Sequence, residues 1–153
     1  MHPPMESTQQ TELDLRRAIY DRLMGGGAMP TMQELSTTAQ LPPATIRASL
    51  ARLADAHQLV LQRDGEILMA NPFSAVPTPF VVSAGEHSWY GNCIWDAMGI
   101  AAMLHRPVTI DASCGCCGTA LTLRVPEDCS DQNTARVHFA IPAAHWWDDI
   151  VFN

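Results

Sequence analysis

The sequence predicts a small α+β protein of 153 residues. Apolar residues recur three or four positions apart in the first third of the chain, as they do on one face of a helix. They alternate with polar residues in 120–125, and Asp64-Gly65 separates two short apolar runs, which is a hairpin signal. With 47% hydrophobic residues the chain can bury a core. No apolar run approaches the roughly 20 residues that span a bilayer.

Charge and composition restrict the classes of partner. The formal charge is −7, and all nine basic residues are arginine. Six arginines oppose eight acidic residues up to Ala70, and three oppose eight thereafter, so neither half has the basic excess of a nucleic-acid-binding protein. The polar N-terminus lacks the apolar segment of a signal peptide. We therefore expect a cytoplasmic protein without membrane contact, whose five cysteines are reduced.

The first half is expected to hold three helices and a hairpin after a disordered tail over 1–12. The helices are predicted at Leu13–Met24, Met32–Thr38 and Ala44–His57, and the strands at Leu59–Gln62 and Glu66–Ala70. This order is typical of a winged helix-turn-helix domain over 13–70. Its DNA contacts would come from Thr45, Arg47, Ser49 and Arg52. Because phosphate neutralisation drives most DNA affinity, DNA is an improbable partner and we favour a packing or dimerisation role.

A Pro-rich linker over 71–79 is expected to lead into a second, small mixed sheet-and-helix domain over 80–153. A helix is predicted from Cys93, with Asn92 as its N-cap, and Arg106-Pro107 closes it. A turn is predicted at Ser83–Ser88. Strands are predicted at Phe80–Val82, Val108–Ile110, Ala120–Val125 and Arg136–Ile141, with the start of a further one at Ile150–Phe152.

Cys93 and Asp96 are the first candidate site. They are three residues apart, so on a helix they share one face. The helix dipole and free backbone N–H groups would favour a thiolate at Cys93. Desolvation would raise the pKa of Asp96 and keep a proton available. The alternative interpretation is structural, with a small buried cysteine and an acidic residue that complements the helix dipole.

Three cysteines in the Gly-rich turn over 111–118 are the second candidate. Cys114 and Cys117 form a C-x-x-C pair, half of a zinc site whose other ligands would be drawn from Cys129, His138 and His145. The irregular spacing of those ligands counts against structural zinc. Redox use of the thioredoxin type is disfavoured because the motif lies between strands. A solvent-facing or hydrogen-bonded side chain is the default interpretation of His138.

Several segments in order resemble the organomercurial (alkylmercury) lyases. The resemblance begins at Asn92-Cys-Ile-Trp-Asp-Ala-Met-Gly99 and continues through Pro107–Cys114 and Leu121–Val125. It ends with Arg136–Pro142 and His145–Phe152, and the winged-helix order before a Pro-rich linker also fits. It covers most of the chain from about Leu13 and implies a lyase-type domain over 80–153.

The resemblance implies protonolysis of a carbon–mercury bond, which releases a hydrocarbon and Hg(II). Cys93 would be the thiolate ligand, since mercury is soft and prefers sulfur. Asp96 would donate the proton to carbon and then help to hold Hg(II), with Cys116 and Cys117 as candidate further ligands. No organic cofactor is implied. The expected partners are a small organomercurial substrate and external thiols, or a mercury-handling protein, that remove the product.

The chain departs from the family at the second active-site cysteine. In the family that residue follows the Trp-containing segment, and this chain stops at Asn153, just before it. Cys114 matches a family cysteine that is read as structural, whereas Cys116 and Cys117 have no counterpart. We therefore expect either an incomplete domain with impaired turnover or a turn thiol that substitutes for the second cysteine. The short last strand would leave an open sheet edge that favours a homodimer. The alternatives are a soft-metal-binding protein without turnover and a winged-helix transcription regulator in which the turn cysteines sense metal.

Overall fold

The computed structural model describes residues 5–128 and 136–151 and shows a mixed α+β fold. The helices are α1 (Met5–Met24), α2 (Met32–Ala39), α3 (Pro43–Asp55) and α4 (Ile94–Leu104), and a 3₁₀ helix covers Ala143–Asp148. The strands are β1 (Val60–Leu61), β2 (Ile67–Ala70), β3 (Phe73–Ser74), β4 (Val81–Ala84), β5 (His87–Gly91), β6 (Val108–Ser113) and β7 (Ala120–Val125). The α+β class predicted from periodicity is confirmed.

The first three helices form where the sequence predicts them, and their apolar stripes are buried. Leu15, Ile19 and Leu23 of α1 are at most 3% exposed, as spacings of four residues require of one helix face. Thr31 and Glu34 form a reciprocal capping box at the start of α2. The helix α1 already begins at Met5, within the tail expected to be disordered. Gln10 there donates to Asp14 one turn on.

A single seven-stranded sheet joins the two halves of the chain. Its strand order is β1-β2-β3-β5-β4-β6-β7, and every neighbouring pair is antiparallel. The strand β3 lies inside the segment predicted as a linker, where Phe73 pairs with Ala70 on one side and Gly91 on the other. Phe73-Ser74 of the Pro-rich segment is therefore part of the sheet, and through it the N-terminal hairpin pairs with the strands of the second half.

Three predictions for the second half are wrong. Ser83–Ser88 is a β4–β5 hairpin, and Gly85 at its tip has φ +60°, which a residue without Cβ adopts easily. Arg136–Ile141 is not a strand, and Ile150-Val151 is a turn, while Phe152 lies outside the described residues. The alternation in 136–141 instead serves side-chain packing, since Phe139 contacts Trp146, which donates to the Ile141 carbonyl.

Buried contacts tie the helices to the sheet. The indole N–H of Trp89 donates to the Leu23 carbonyl at 2.6 Å, where α1 ends. The Tyr20 hydroxyl donates to the Asn71 carbonyl at 2.7 Å. The helix α4 buries Ala97, Ile100 and Ala101. Within residues 5–128 and 136–151, no helix combines the length and apolarity needed to cross a bilayer.

Candidate active site

The site lies where β5 passes into α4. Cys93 is itself the N-cap of α4, with extended φ −145° and ψ −177°, and its carbonyl accepts from Ala97 N–H at 2.9 Å. The prediction that Asn92 caps the helix is therefore wrong by one residue. Gly91 permits the tight passage, because a Cβ there would lie 2.7 Å from the Ala97 nitrogen. The close approach of strand and helix needs a glycine at this position.

Cys93 and Asp96 lie side by side, as their spacing predicted. The Cys93 thiol donates to Asp96 Oδ2 across 3.6 Å. Asp96 occupies the first turn of α4, which begins one residue later than predicted. Both side chains are half-buried. A thiol proton can therefore pass directly to the carboxylate.

Burial controls the protonation of this pair. It raises the pKa of the Asp96 carboxyl, as predicted, against the hydrogen bonds from Asn92 and Cys93 that lower it. Burial also raises the pKa of the Cys93 thiol, and the neighbouring Asp96 charge adds to this. The backbone N–H groups of Asp96 and Trp95 act in the opposite direction but do not prevail. The expectation of a thiolate favoured by the helix start is therefore wrong, because burial outweighs the backbone N–H groups.

Two hydrogen-bonded asparagines, Asn92 and Asn71, lie beside Cys93 and Asp96. The Asn92 amide nitrogen donates to Asn71 Oδ1 at 3.0 Å and approaches the Pro72 carbonyl at 3.4 Å. The neighbouring Asn92 side chain also lowers the pKa of the Asp96 carboxyl. Asn92 Oδ1 is buried without a partner in the described part of the chain. The amide is thus held by the β2–β3 connection and faces the carboxyl group.

The pair opens into a cavity of about 520 Å³ with aromatic walls. Trp95, Phe139 and Trp146 form a connected series, with ring centroids 6.1 and 5.2 Å apart. Trp95 is 56% exposed although it is large and apolar. Trp147 also lines the cavity and stacks on His57 at 4.2 Å, which links the cavity wall to the end of α3. An apolar ligand bound at Cys93 would contact these rings.

The turn cysteines lie elsewhere. None of Cys114, Cys116 and Cys117 lines the cavity, so the structure does not bring them to Cys93 as joint ligands. The Cys117 thiol lies 3.1 Å from the Thr119 hydroxyl, which is the main cause of its lowered pKa. Among the described residues no three His, Cys, Asp or Glu side chains are grouped as a metal site. Cys129, a candidate zinc ligand, lies outside them.

Three of the four residues considered for DNA contact are engaged within the fold. Ser49 is fully buried in α3 and accepts from Arg52 at 3.1 Å. Arg52 also pairs with Glu12 of α1 at 2.5 Å. Arg47 donates to the Asp64 carbonyl. These contacts place two of the four side chains in the packing between α1 and α3, consistent with the structural role favoured from charge.

Sequence reasoning missed several residues of the site. Trp95 and Gly91 lie within two residues of Cys93, yet nothing in the apolar pattern marks either as functional. Asn71 reaches the site only through the pairing of β3, which the linker prediction had excluded. His138 lines the cavity, although alternation placed it in an ordinary strand.

Comparison with known proteins identifies the family. The family model MerB, alkylmercury lyase, matches residues 73–152, half of the chain, and the chain belongs to this family. Among solved structures it is similar to the mercury-bound form of MerB2, at 21% identity and a TM-score of 0.62. That alignment covers 76% of this chain and 56% of the other, so the chain spans little more than half the length of that structure. No curated protein matched the chain.

Proposed function

We propose that the protein cleaves carbon–mercury bonds by protonolysis, with Cys93 as the sulfur ligand and Asp96 as the proton donor. The observation that carries the proposal is the 3.6 Å contact between the Cys93 thiol and Asp96 Oδ2 at the mouth of an aromatic cavity. Membership of the alkylmercury lyase family supports it. The mercury-bound form of MerB2 has a similar fold.

The pair supplies the one proton that the reaction needs. An organomercurial R–Hg–L enters, the Cys93 thiol proton passes to Asp96, and the thiolate displaces L from mercury. Asp96 then gives the proton to carbon, and the electron pair of the C–Hg bond becomes the C–H bond. The hydrocarbon leaves while Hg(II) stays on sulfur, and no oxidation state changes. The raised pKa of Asp96 favours its protonated form as general acid.

The aromatic wall is the binding surface for the organic group. Trp95 and Phe139 are exposed and lie in edge-to-face geometry. Burying an aryl group against such rings contributes about 0.5–1.5 kcal/mol beyond the area buried. We therefore infer that arylmercury compounds bind better than methylmercury.

A second thiolate has to come from outside the described cavity. Cys93 is the only cysteine among the described residues that line it. Small thiols of the cytoplasm would complete the coordination of mercury and carry the product away. Turnover should therefore be slow and should rise with thiol concentration. We further propose that the predicted winged helix-turn-helix region, 13–70, is a packing module. His57, two residues after the end of α3, stacks on Trp147 of the cavity wall.

Benzene release from phenylmercury acetate in excess monothiol tests the proposal. The unmodified chain should release benzene, and Cys93→Ser should abolish the release. Cys116→Ser is the matched control, because that exposed thiol lies outside the cavity, and it should keep the rate. The proposed lyase activity would be refuted if the unmodified chain bound phenylmercury at Cys93 but released no benzene. The protein would then be a mercury-binding protein without turnover.

A further inference from the structure

The turn between β6 and β7 carries a pair of thiols that the reaction at Cys93 does not use. The Cys114 amide donates to the Thr119 carbonyl, and the Gly118 amide to the Cys114 carbonyl, both at 2.8 Å. Gly118 has φ +70°, which closes the turn. The backbone therefore folds back on itself between the two cysteines of the C-x-x-C motif.

Closure of the turn brings the two cysteines together. The hydrogen bond from the Gly118 amide to the Cys114 carbonyl makes 114–118 a single turn, so Cys114 and Cys117, three residues apart in it, are neighbours. Both thiols are free, Cys114 is half-buried and Cys117 is exposed. Cys116 lies between them in sequence and is also exposed. The turn thus presents a preorganised dithiol that solvent can reach.

We propose that Cys114 and Cys117 together bind one Hg(II) ion at a two-thiolate site outside the cavity. Thiolate is the ligand that soft metals prefer. A linear two-coordinate ion needs its sulfurs about 5 Å apart, twice a metal–sulfur bond slightly longer than the zinc value of about 2.3 Å. Because the Cys117 side chain is exposed, it can rotate to place its sulfur at that distance from the Cys114 sulfur. Zinc would need four ligands, and the described residues group no three of the required kind.

Binding is an exchange of protons for metal. Hg(II) replaces the two thiol protons and forms two Hg–S bonds, so two protons are released and no electrons are transferred. The turn follows β6 at the same end of the sheet at which Cys93 follows β5, because Val81 pairs with both Tyr90 near the end of β5 and Asp111 near the end of β6. The strands β5 and β6 flank β4 and are therefore about 10 Å apart. A role in receiving the product from Cys93 rests on the proposed function, whereas the binding itself does not.

Titration with HgCl₂ in excess monothiol tests the site on a Cys93→Ser, Cys129→Ser chain, which leaves only the three turn cysteines. Native mass spectrometry should show one Hg(II) per monomer. Adding Cys117→Ser should weaken retention roughly a hundredfold or more, because the chelate effect of a short linkage is lost. Adding Cys114→Ser should do the same, and Cys116→Ser, the matched control, should retain the ion.

The inference is overturned if Cys116→Ser loses the ion, if Cys117→Ser keeps it, or if mercury appears only between two chains. Far-UV circular dichroism checks that each variant is folded, and Cys117 is exposed, so its replacement leaves the core intact. Failure of the proposed function is a separate result. In that case the unmodified chain releases no benzene, whether or not the turn holds Hg(II).

Discussion

Burial of Asp96 in the site lowers the free energy of unfolding at neutral pH. Burial raises the pKa of this carboxyl in the folded chain above its value of about 3.9 in an unfolded one. The folded state then binds the proton more tightly, so stability falls as the pH rises through the folded pKa. A group kept for proton donation is in this way unfavourable for folding at neutral pH.

Asp96→Asn should therefore raise the melting temperature at pH 8, and the gain should shrink to nothing below about pH 4. Thermal unfolding of both chains across this range checks the sign. Asp148→Asn, at an exposed carboxyl, is the control. A variant less stable than the unmodified chain at pH 8 would contradict the assignment of burial as the dominant effect.

Asn92 is expected to position the proton donor. Its amide is anchored on Asn71, and its side chain lowers the pKa of the Asp96 carboxyl by favouring the charged form. Hydrogen bonds to charged groups contribute about 1.5–3 kcal/mol, so Asn92→Ala should lower kcat for phenylmercury roughly ten- to a hundredfold. KM should change little, and the pH profile should move upward because a group that lowers the pKa of Asp96 is lost. An unchanged pH profile with reduced kcat would indicate a structural role only.

At the scale of elements, the segment 136–151 forms one wall of the cavity and determines what fits. Phe139 contacts both Trp95 and Trp146. Phe139→Ala should reduce kcat/KM for phenylmercury by roughly two- to tenfold, the equivalent of one aromatic pair. Methylmercury should be nearly unaffected. Val137→Ala is the control, since Val137 is exposed and does not line the cavity. Equal losses for both substrates would contradict the aryl-binding role.

Elements were predictable where a single face is buried and unpredictable where pairing partners are distant in sequence. The helix α1 was predicted from the four-residue spacing of Leu15, Ile19 and Leu23, because helix periodicity is local in the sequence. Phe73 belongs to a two-residue strand whose partners are Ala70 and Gly91, and no local pattern reveals that pairing. Cys93 and Asp96 were found because their proximity follows from spacing alone. Asn71 and Phe139 reach the site through tertiary contacts and were missed.

At the scale of the whole molecule, the continuous sheet should make the two halves unfold together. Trp89 links them through its hydrogen bond to the Leu23 carbonyl. Trp89→Phe removes this hydrogen bond, while the Gly26 N–H still donates to the Leu23 carbonyl, so the loss should cost about 0.5–1.5 kcal/mol. Circular dichroism and tryptophan fluorescence should give coincident transitions, both shifted downward, whereas Trp95→Phe at an exposed ring should shift neither. Two separate transitions would show that the halves fold independently.

That the exposed edge strand β7 mediates a homodimer stays a prediction, which sedimentation analysis would test.

Single-turnover benzene release by Asp96→Asn tests the central claim most directly. The chain is loaded with one equivalent of phenylmercury, and bound mercury and released benzene are measured in the same sample. We expect Asp96→Asn to bind phenylmercury through Cys93 and to release no benzene, while the unmodified chain releases one equivalent. Benzene release by Asp96→Asn at the unmodified rate would show that the proton comes from another group.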